Sequence, residues 1–377
     1  MTKRINGLPA WAGRSARTGT TRLRELHDFG PNHGRLDAWF FVPSRSPAQP
    51  RPLVVVLHGC TQTAQGYDNG SGWSELAEAH DFAVLFPEQR RSNNANLCFN
   101  WFEPADTRRG DGEASTIAQM IDTMIASHGI DAERVFITGL SAGGAMTSAM
   151  LAAYPEKFAG GAILAGLPHG AATSVQEAFQ QMRAHTPTRR TSGRSIGEAS
   201  PHRGDWPTVS IWHGTADSVV DQSNADAIVR QWREVHGLPE APSEAGLADG
   251  HPHRAWRDGS GKLLIEEYRV TGMGHGTPLA TAGECGCGRA GAFMLEVGIS
   301  STLHSARTWG LLGERQAAQE RVAPGRAVAI DPPVAPAAPV PAVMAVHRAF
   351  LPPVTLPARG RVGQVIEDAL RSAGLMK

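Results

Sequence analysis

Three residue types in this chain, taken in the order serine, aspartate, histidine, could pass a proton from a hydroxyl to an imidazole backed by a carboxylate. The serine is Ser141. It lies in Gly139-Leu140-Ser141-Ala142-Gly143, a G-x-S-x-G sequence between the strand-like "RVFITG" and the small-residue run "AMTSAMLAAY". A strand-to-helix turn of this kind pushes a serine Oγ out at the carboxyl end of a sheet. The helix that follows aims its unpaired N–H groups and positive dipole end at the place where an oxyanion would form. A serine hydroxyl is a weak nucleophile, so the chemistry requires a base and a group that orients the base. "SIWHGTADSVV" places Asp217 in the loop after one strand, and "VTGMGHGTP" places His275 in a glycine-flanked loop after a later one. In this reading His275 takes the Ser141 proton and returns it to the leaving group, while Asp217 fixes the tautomer and stabilises the imidazolium.

A second oxyanion donor is expected from the loop after an early strand. "VVVLHGCTQTA" supplies His58-Gly59-Cys60 there, so the N–H groups of Cys60 and Ala142 are expected to form the hole. His58 is expected to organise this loop or touch substrate. Asp221 competes with Asp217, but "DQSNADAIV" reads as a helix start and gives Asp221 a capping role. His213 belongs to a strand end and shapes the loop. His169, in "AGLPHG", follows another strand on the same side and is a candidate substrate contact, as an ordinary loop histidine would also explain.

These positions require an alternating framework. Apolar runs recur at "LVVVLH", "FAVLFP", "RVFITG", "FAGGAILAG", "TVSIWHG" and "KLLIEEYRV", and their continuous apolarity predicts strands buried on both faces. Between them "SGWSELAEAH", "GEASTIAQMIDTMIASHG" and "DQSNADAIVRQWREVHG" have helical spacing and terminal caps. The expectation is an α/β fold with a mainly parallel sheet and helices on both faces. The early "TTRLRELHDFG…GRLDAWFFVP" predicts an antiparallel edge of two strands. Residues 171–206, basic and turn-rich, read as a solvated surface insertion, with a flap over a site as the alternative.

Organisation changes late in the chain. Residues 1–310 are expected to form one catalytic domain, 311–358 a Pro/Ala-rich extended linker, and 359–377 an amphipathic helix bearing Val362, Val365, Ile366, Ala369, Leu370 and Ala373 on one stripe. That helix is expected to dock on the catalytic domain or on a partner.

Bulk properties narrow the function classes. The 377 residues carry 36 basic and 36 acidic side chains, so no net field recruits nucleic acid, an anionic membrane or an acidic polymer. No apolar run is long enough to span a bilayer. Basic residues at the start lack the apolar stretch of a secretory leader, which favours a cytoplasmic location. The four cysteines are too few for a disulfide framework, and the Cys285-Gly286-Cys287 pair would need His251, His253 or His275 from separate segments to bind zinc, so no metal is expected. Cys285 and Cys287 are expected to be unpaired thiols rather than a strained bridge.

Read together, "VVVLHGCTQTA", "GWSELAEAHDFAVLFPEQ", "NLCFNWF", "GDGEASTIAQMID", "VFITGLSAGGAM", "WHGTADSVV" and "GMGHGTP" resemble the esterases of the polyhydroxybutyrate (PHB) depolymerase family, whose relatives include feruloyl and acetylxylan esterases. The likeness covers about residues 35–305. It implies an α/β-hydrolase fold, Ser141, Asp217 and His275 as triad, Cys60 as an oxyanion-hole residue, and no cofactor. It also implies a Cys60–Cys98 disulfide, where the residues alone read as two buried thiols; such a bond belongs to an oxidising compartment, so the resemblance favours secretion. Trp101 and Phe102 become candidates for the acyl pocket, with core packing as the alternative. Nothing after Trp309 offers a Trp or Tyr to grip a polymer surface, which favours short hydroxyalkanoate esters or oligomers over insoluble polyester. A feruloyl or acetylxylan esterase is the neighbouring reading, a peptidase a weaker one, and a non-catalytic binding protein on a hydrolase fold the competitor from another class.

Overall fold

The computed structural model describes residues 22–45, 49–183, 191–282 and 286–312. Ten strands make one sheet: β1 (Arg24–Glu25), β2 (Asp37–Phe41), β3 (Arg51–Leu57), β4 (Ala83–Glu88), β5 (Ile130–Leu140), β6 (Gly160–Leu164), β7 (Thr208–Gly214), β8 (Glu244–Ala248), β9 (His251–Arg257) and β10 (Leu263–Val270). Their order across the sheet is β1-β2-β4-β3-β5-β6-β7-β10-β9-β8. The run from β4 to β10 is parallel throughout. Each end is finished by antiparallel strands, β2 and β1 on one side and β9 and β8 on the other. The first of these edges matches the sequence expectation. The second is a hairpin in a stretch without an apolar run.

The helices are α1 (Ala64–Ser71), α2 (Trp73–His80), α3 (Pro104–Thr107), α4 (Gly112–His128), α5 (Ala142–Ala153), α6 (Val175–Arg183), α7 (Gly193–Ala199), α8 (Ser223–His236) and α9 (Ser301–Thr308). A short parallel pair, β11 (Thr277–Leu279) and β12 (Met294–Glu296), stands apart from the sheet.

β3 shows how a central strand is covered on both sides. All seven of its residues are buried, and alternate side chains serve opposite faces. Leu53, Val55 and Leu57 belong to one continuous hydrophobic cluster with Ile117 and Met120 of α4, Met146 and Met150 of α5, and Ile228 and Trp232 of α8. Val54 and Val56 belong to a second cluster, on the other face, with Tyr67 of α1, Trp73 and Leu76 of α2, and Ala306 of α9. Both faces are therefore roofed by helices, and only the strand ends reach solvent.

That leaves the carboxyl edge of the parallel strands as the place where loops converge, as in other open α/β sheets. β5 ends at Leu140, directly before Ser141. β3, its neighbour with Leu57 opposite Gly139, delivers the Cys60 loop beside it. β7 and β10 pair with Gly214 opposite Val270, so the loops carrying Asp217 and His275 leave the sheet side by side. Among the described residues no helix is long and apolar enough to cross a membrane. The expected linker at 311–358 falls almost wholly outside the described residues, and the helix at 359–377 entirely so; Cys285 is also outside them.

Candidate active site

Ser141 sits at the corner between β5 and α5 with φ 58° and ψ −116°, a left-handed backbone that a residue with a Cβ adopts only when its surroundings hold it there. Two hydrogen bonds do so: Ser141 N–H donates to Leu164 O at 2.9 Å, and Ala145 N–H to Ser141 O at 2.9 Å. Gly143 allows the turn to press against β3. A Cβ there would stand 2.5 Å from both the His58 and Leu57 carbonyl oxygens. Gly143→Ala must therefore push α5 away from the strand whose loop carries Cys60. We expect kcat to fall about 10²-fold, the loss typical of one oxyanion donor, with stability reduced by about 1–3 kcal/mol from overpacking. Ester hydrolysis kinetics alongside thermal melting checks both, and wild-type kcat would show that the two elements can separate without cost.

The donors beside Ser141 are in place. Neither the Cys60 nor the Ala142 N–H has an acceptor among the described residues, and both residues line the same cavity as Ser141. For Ala142 this follows from its place at the start of α5. The Cys60 loop is tied down twice: Cys60 is disulfide-bonded to Cys98, and Thr61 N–H donates to Asn96 O at 2.6 Å. The bond implied by the family resemblance is thus present, in place of the two thiols read from the residues alone.

Asp217 is the most constrained group of the site. Its side chain is fully buried. Oδ1 accepts from Val219 N–H at 2.8 Å and Val220 N–H at 3.0 Å, and Oδ2 from His275 Nδ1 at 2.7 Å. Burial raises its pKa, but the His275 and His213 imidazoles and the Val220 N–H outweigh burial and hold the carboxyl below its usual range. With Nδ1–H committed to Asp217, His275 keeps Nε2 as its basic nitrogen. Gly214 brings the two loops together, since a Cβ there would meet Met273 O at 2.3 Å. Ala216 N–H donates to that same Met273 carbonyl at 2.9 Å. The rival Asp221 accepts from Ser223 N–H at 2.9 Å, at the start of α8.

Ser141, His275, Cys60 and Ala142 face one largely apolar cavity. Trp101 and Phe102 line it, with their rings edge to face at 5.7 Å. His58 and His169 do not line it. His58 is 1 % exposed, accepts from Gln89 N–H through Nε2 at 3.1 Å, and burial pushes its pKa down to about 4. It holds the Cys60 loop against the core as a neutral ring. His169 is fixed through its backbone, which exchanges two hydrogen bonds with the Gln231 amide.

The cavity's other wall comes from residues 171–206, where a solvated insertion is the preferred expectation and a flap over a site the alternative. α6 places Val175, Ala178, Phe179 and Met182 along it, with Leu167, Val219 and Val220 beside them. Residues expected to belong to a solvated insertion therefore cover the site. The signal was an i, i+3, i+4, i+7 stripe in "VQEAFQQM", one apolar face of a helix.

Behind the disulfide lies a buried carboxylate that no sequence pattern announced. Glu113 accepts from Gln89 Nε2 at 2.6 Å, Asn100 N–H at 2.9 Å and Asn93 Nδ2 at 3.1 Å, and so pins the loop leading to Trp101 and Phe102. Burial, helped by Asp106, pushes its pKa up to about 8 from 4.5 against those three donors. The native state then keeps a proton that the unfolded chain has released, so stability falls as pH rises from 4.5 to about 8, and the full cost is present above that window. Glu113→Gln removes this slope. Urea midpoints at pH 5, 7 and 9 should show the wild-type advantage shrinking with pH; parallel curves would overturn it.

A mostly parallel, helix-covered sheet with a serine on a strained strand–helix corner defines an α/β hydrolase. A family model described as "Esterase PHB depolymerase" matches residues 36–256. The chain belongs to that family, and it is a carboxylic ester hydrolase of the serine type. Poly(3-hydroxyalkanoate) depolymerase C of Paucimonas lemoignei is 44% identical over 294 residues, 77% of this chain and 70% of the relative. Acetylxylan esterase of Coprinopsis cinerea is 31% identical over 265 residues, 68% of this chain and 70% of the relative. Among solved structures, acetyl xylan esterase from Aspergillus awamori superposes with a TM-score of 0.63 at 26% identity, covering 77% of this chain and 99% of that one.

Proposed function

We propose that Ser141, His275 and Asp217 are the nucleophile, base and orienting acid of this esterase, and that its substrates are short hydroxyalkanoate esters or oligomers. Ser141 Oγ attacks the ester carbonyl carbon as His275 Nε2 takes the hydroxyl proton. The Cys60 and Ala142 N–H groups receive the oxyanion, and collapse of the tetrahedral species breaks the C–O bond to the alcohol, which leaves with the proton from His275. Water, activated by the same imidazole, then releases the acyl group from Ser141.

The observation that carries the reading is the cavity itself: among the described residues, two N–H donors without acceptors stand beside Ser141 and His275, and the lining holds no Lys, Arg, Asp or Glu. Leu167, Val175, Ala178, Met182, Val219 and Val220 suit a short branched alkyl chain rather than a charged or sugar-like acyl group. A second reading, hydrolysis of carbohydrate esters, is favoured by the amide side chains of Gln62 and Asn96 in the same lining, which offer hydrogen bonds to an alcohol's hydroxyls. Turnover of 3-hydroxybutyrate oligomers, acetylated xylan and methyl ferulate, each compared with Ser141→Ala, tests the choice. The oligomers should give the highest Ser141-dependent kcat/KM. A higher value on acetylated xylan or methyl ferulate would replace the first reading with the second.

A further inference from the structure

A second imidazole stands behind the Asp217 carboxylate. His213, the penultimate residue of β7, is 1 % exposed. Its Nε2 lies 2.9 Å from Val220 O and 3.5 Å from Asp217 Oδ2, the same oxygen that accepts from His275 Nδ1. A carbonyl oxygen only accepts, so Nε2 must carry the proton. Nδ1 is buried and has no hydrogen-bond partner among the described residues. An apolar ring of the same shape would avoid that cost, about 1–3 kcal/mol for an unsatisfied buried polar atom. What histidine adds over such a ring is the single Nε2–H, aimed between a loop carbonyl and the carboxylate.

The geometry points to His213 as a positioning residue for ester hydrolysis, which sets both the place and the charge of Asp217 through its Nε2–H. This rests on the triad reading above. By holding Val220 O, the imidazole fixes the turn whose Val219 and Val220 N–H groups grip Asp217 Oδ1, and whose side chains wall the cavity. By also facing Oδ2, it draws part of the carboxylate's charge away from His275. The charged and titratable groups around it are Asp217, His275 and Arg269, and burial keeps the His213 ring neutral against the pull of Asp217.

Two substitutions separate positioning from packing. His213→Phe keeps the ring and removes the N–H; His213→Gln replaces the ring with an amide whose Nε2 reaches the same point. Both are assayed as full-length enzyme on p-nitrophenyl butyrate across pH, with thermal melting alongside. In His213→Phe the undiluted charge on Asp217 holds the imidazolium more firmly, so the acid limb of kcat/KM should move to higher pH by roughly half a unit, and kcat should drop about tenfold. His213→Gln should restore the wild-type limb whatever its melting temperature. Should the Phe chain not fold, His213→Asn, whose shorter amide cannot reach Asp217, is expected to give the same shifted limb. An unshifted limb in the variants lacking the donor, or equal limbs in His213→Phe and His213→Gln, would overturn the assignment. Ser141→Ala run in the same assay tells this failure from failure of the triad reading, because full activity in that variant would remove the triad itself.

Discussion

Ser141→Ala will lower kcat on p-nitrophenyl butyrate by about 10⁶-fold, to the level left by binding and the oxyanion donors alone. KM should change little, because the apolar walls that hold the acyl chain do not include the hydroxyl. The same position gives a second, less familiar readout. At φ 58° and ψ −116° the Ser141 backbone is strained, at a cost of about 1–3 kcal/mol for a residue with a Cβ. Alanine inherits that cost and glycine does not. Glycine loses about 0.4–1 kcal/mol through greater freedom in the unfolded chain, which is smaller than the strain it relieves. Ser141→Gly should therefore melt above Ser141→Ala, both being inactive. Thermal melting and steady-state kinetics on the two variants check the pair. Retained turnover in either would reject Ser141 as nucleophile, and a lower melting temperature for glycine would show that the corner is held without strain.

The parts of this site that could be read in the sequence are those fixed by connectivity. Ser141, Asp217 and His275 each follow a continuous apolar run, and in a parallel sheet every such run ends at the same edge. Pairing of β7 with β10 then brings Asp217 and His275 together without further information. Side-chain direction is a different matter. His58 leaves its strand at the same edge as the others, yet its ring turns inward to meet Gln89 N–H and lies tilted against Phe99, with the ring centroids 5.0 Å apart. Phe102, from an irregular loop, reaches the cavity instead. Position at a strand end settles which edge a residue occupies and leaves open whether it faces substrate or core.

Three elements escaped, for two separate reasons. β8 and β9 have no apolar run, because β8 is an edge strand with exposed side chains, including Leu247 at 72 % exposure. Their signal was the turn: Asp249 and Gly250 both have positive φ, as a two-residue hairpin loop demands. α6 was hidden by the basic, turn-rich composition around it, although its own stripe was legible. Glu113 could not have been foreseen, since an acid at a helix start is favoured on the surface by the helix dipole, and only tertiary packing decides that this one is buried.

Asp217→Asn will reduce kcat by about 10⁴-fold while leaving the Cys60 and Ala142 donors intact. The reason is a mismatch of donors. Asp217 receives N–H groups on both oxygens: Val219 and Val220 on Oδ1, His275 and, at 3.5 Å, His213 on Oδ2. An asparagine has one oxygen, and the two backbone N–H groups cannot turn away, so its NH₂ must face the imidazoles. His275 can then meet it only by presenting Nδ1 as an acceptor, which puts the proton on Nε2 and points a donor where the reaction needs a base. The substitution also strips the fold of a charge that its neighbours favour. Because the native carboxyl titrates below its usual range, Asp217 contributes stability that is present above the unfolded pKa of 3.8 and is lost as pH falls through the lower native value. The stability gap between wild type and Asp217→Asn should thus be widest near neutrality and close towards acid, which urea titrations at pH 7 and pH 3 would measure. A kcat loss below tenfold would move the orienting role away from Asp217. A stability gap that widens in acid would contradict the charged, hydrogen-bonded state of this carboxylate on which the base assignment of His275 depends.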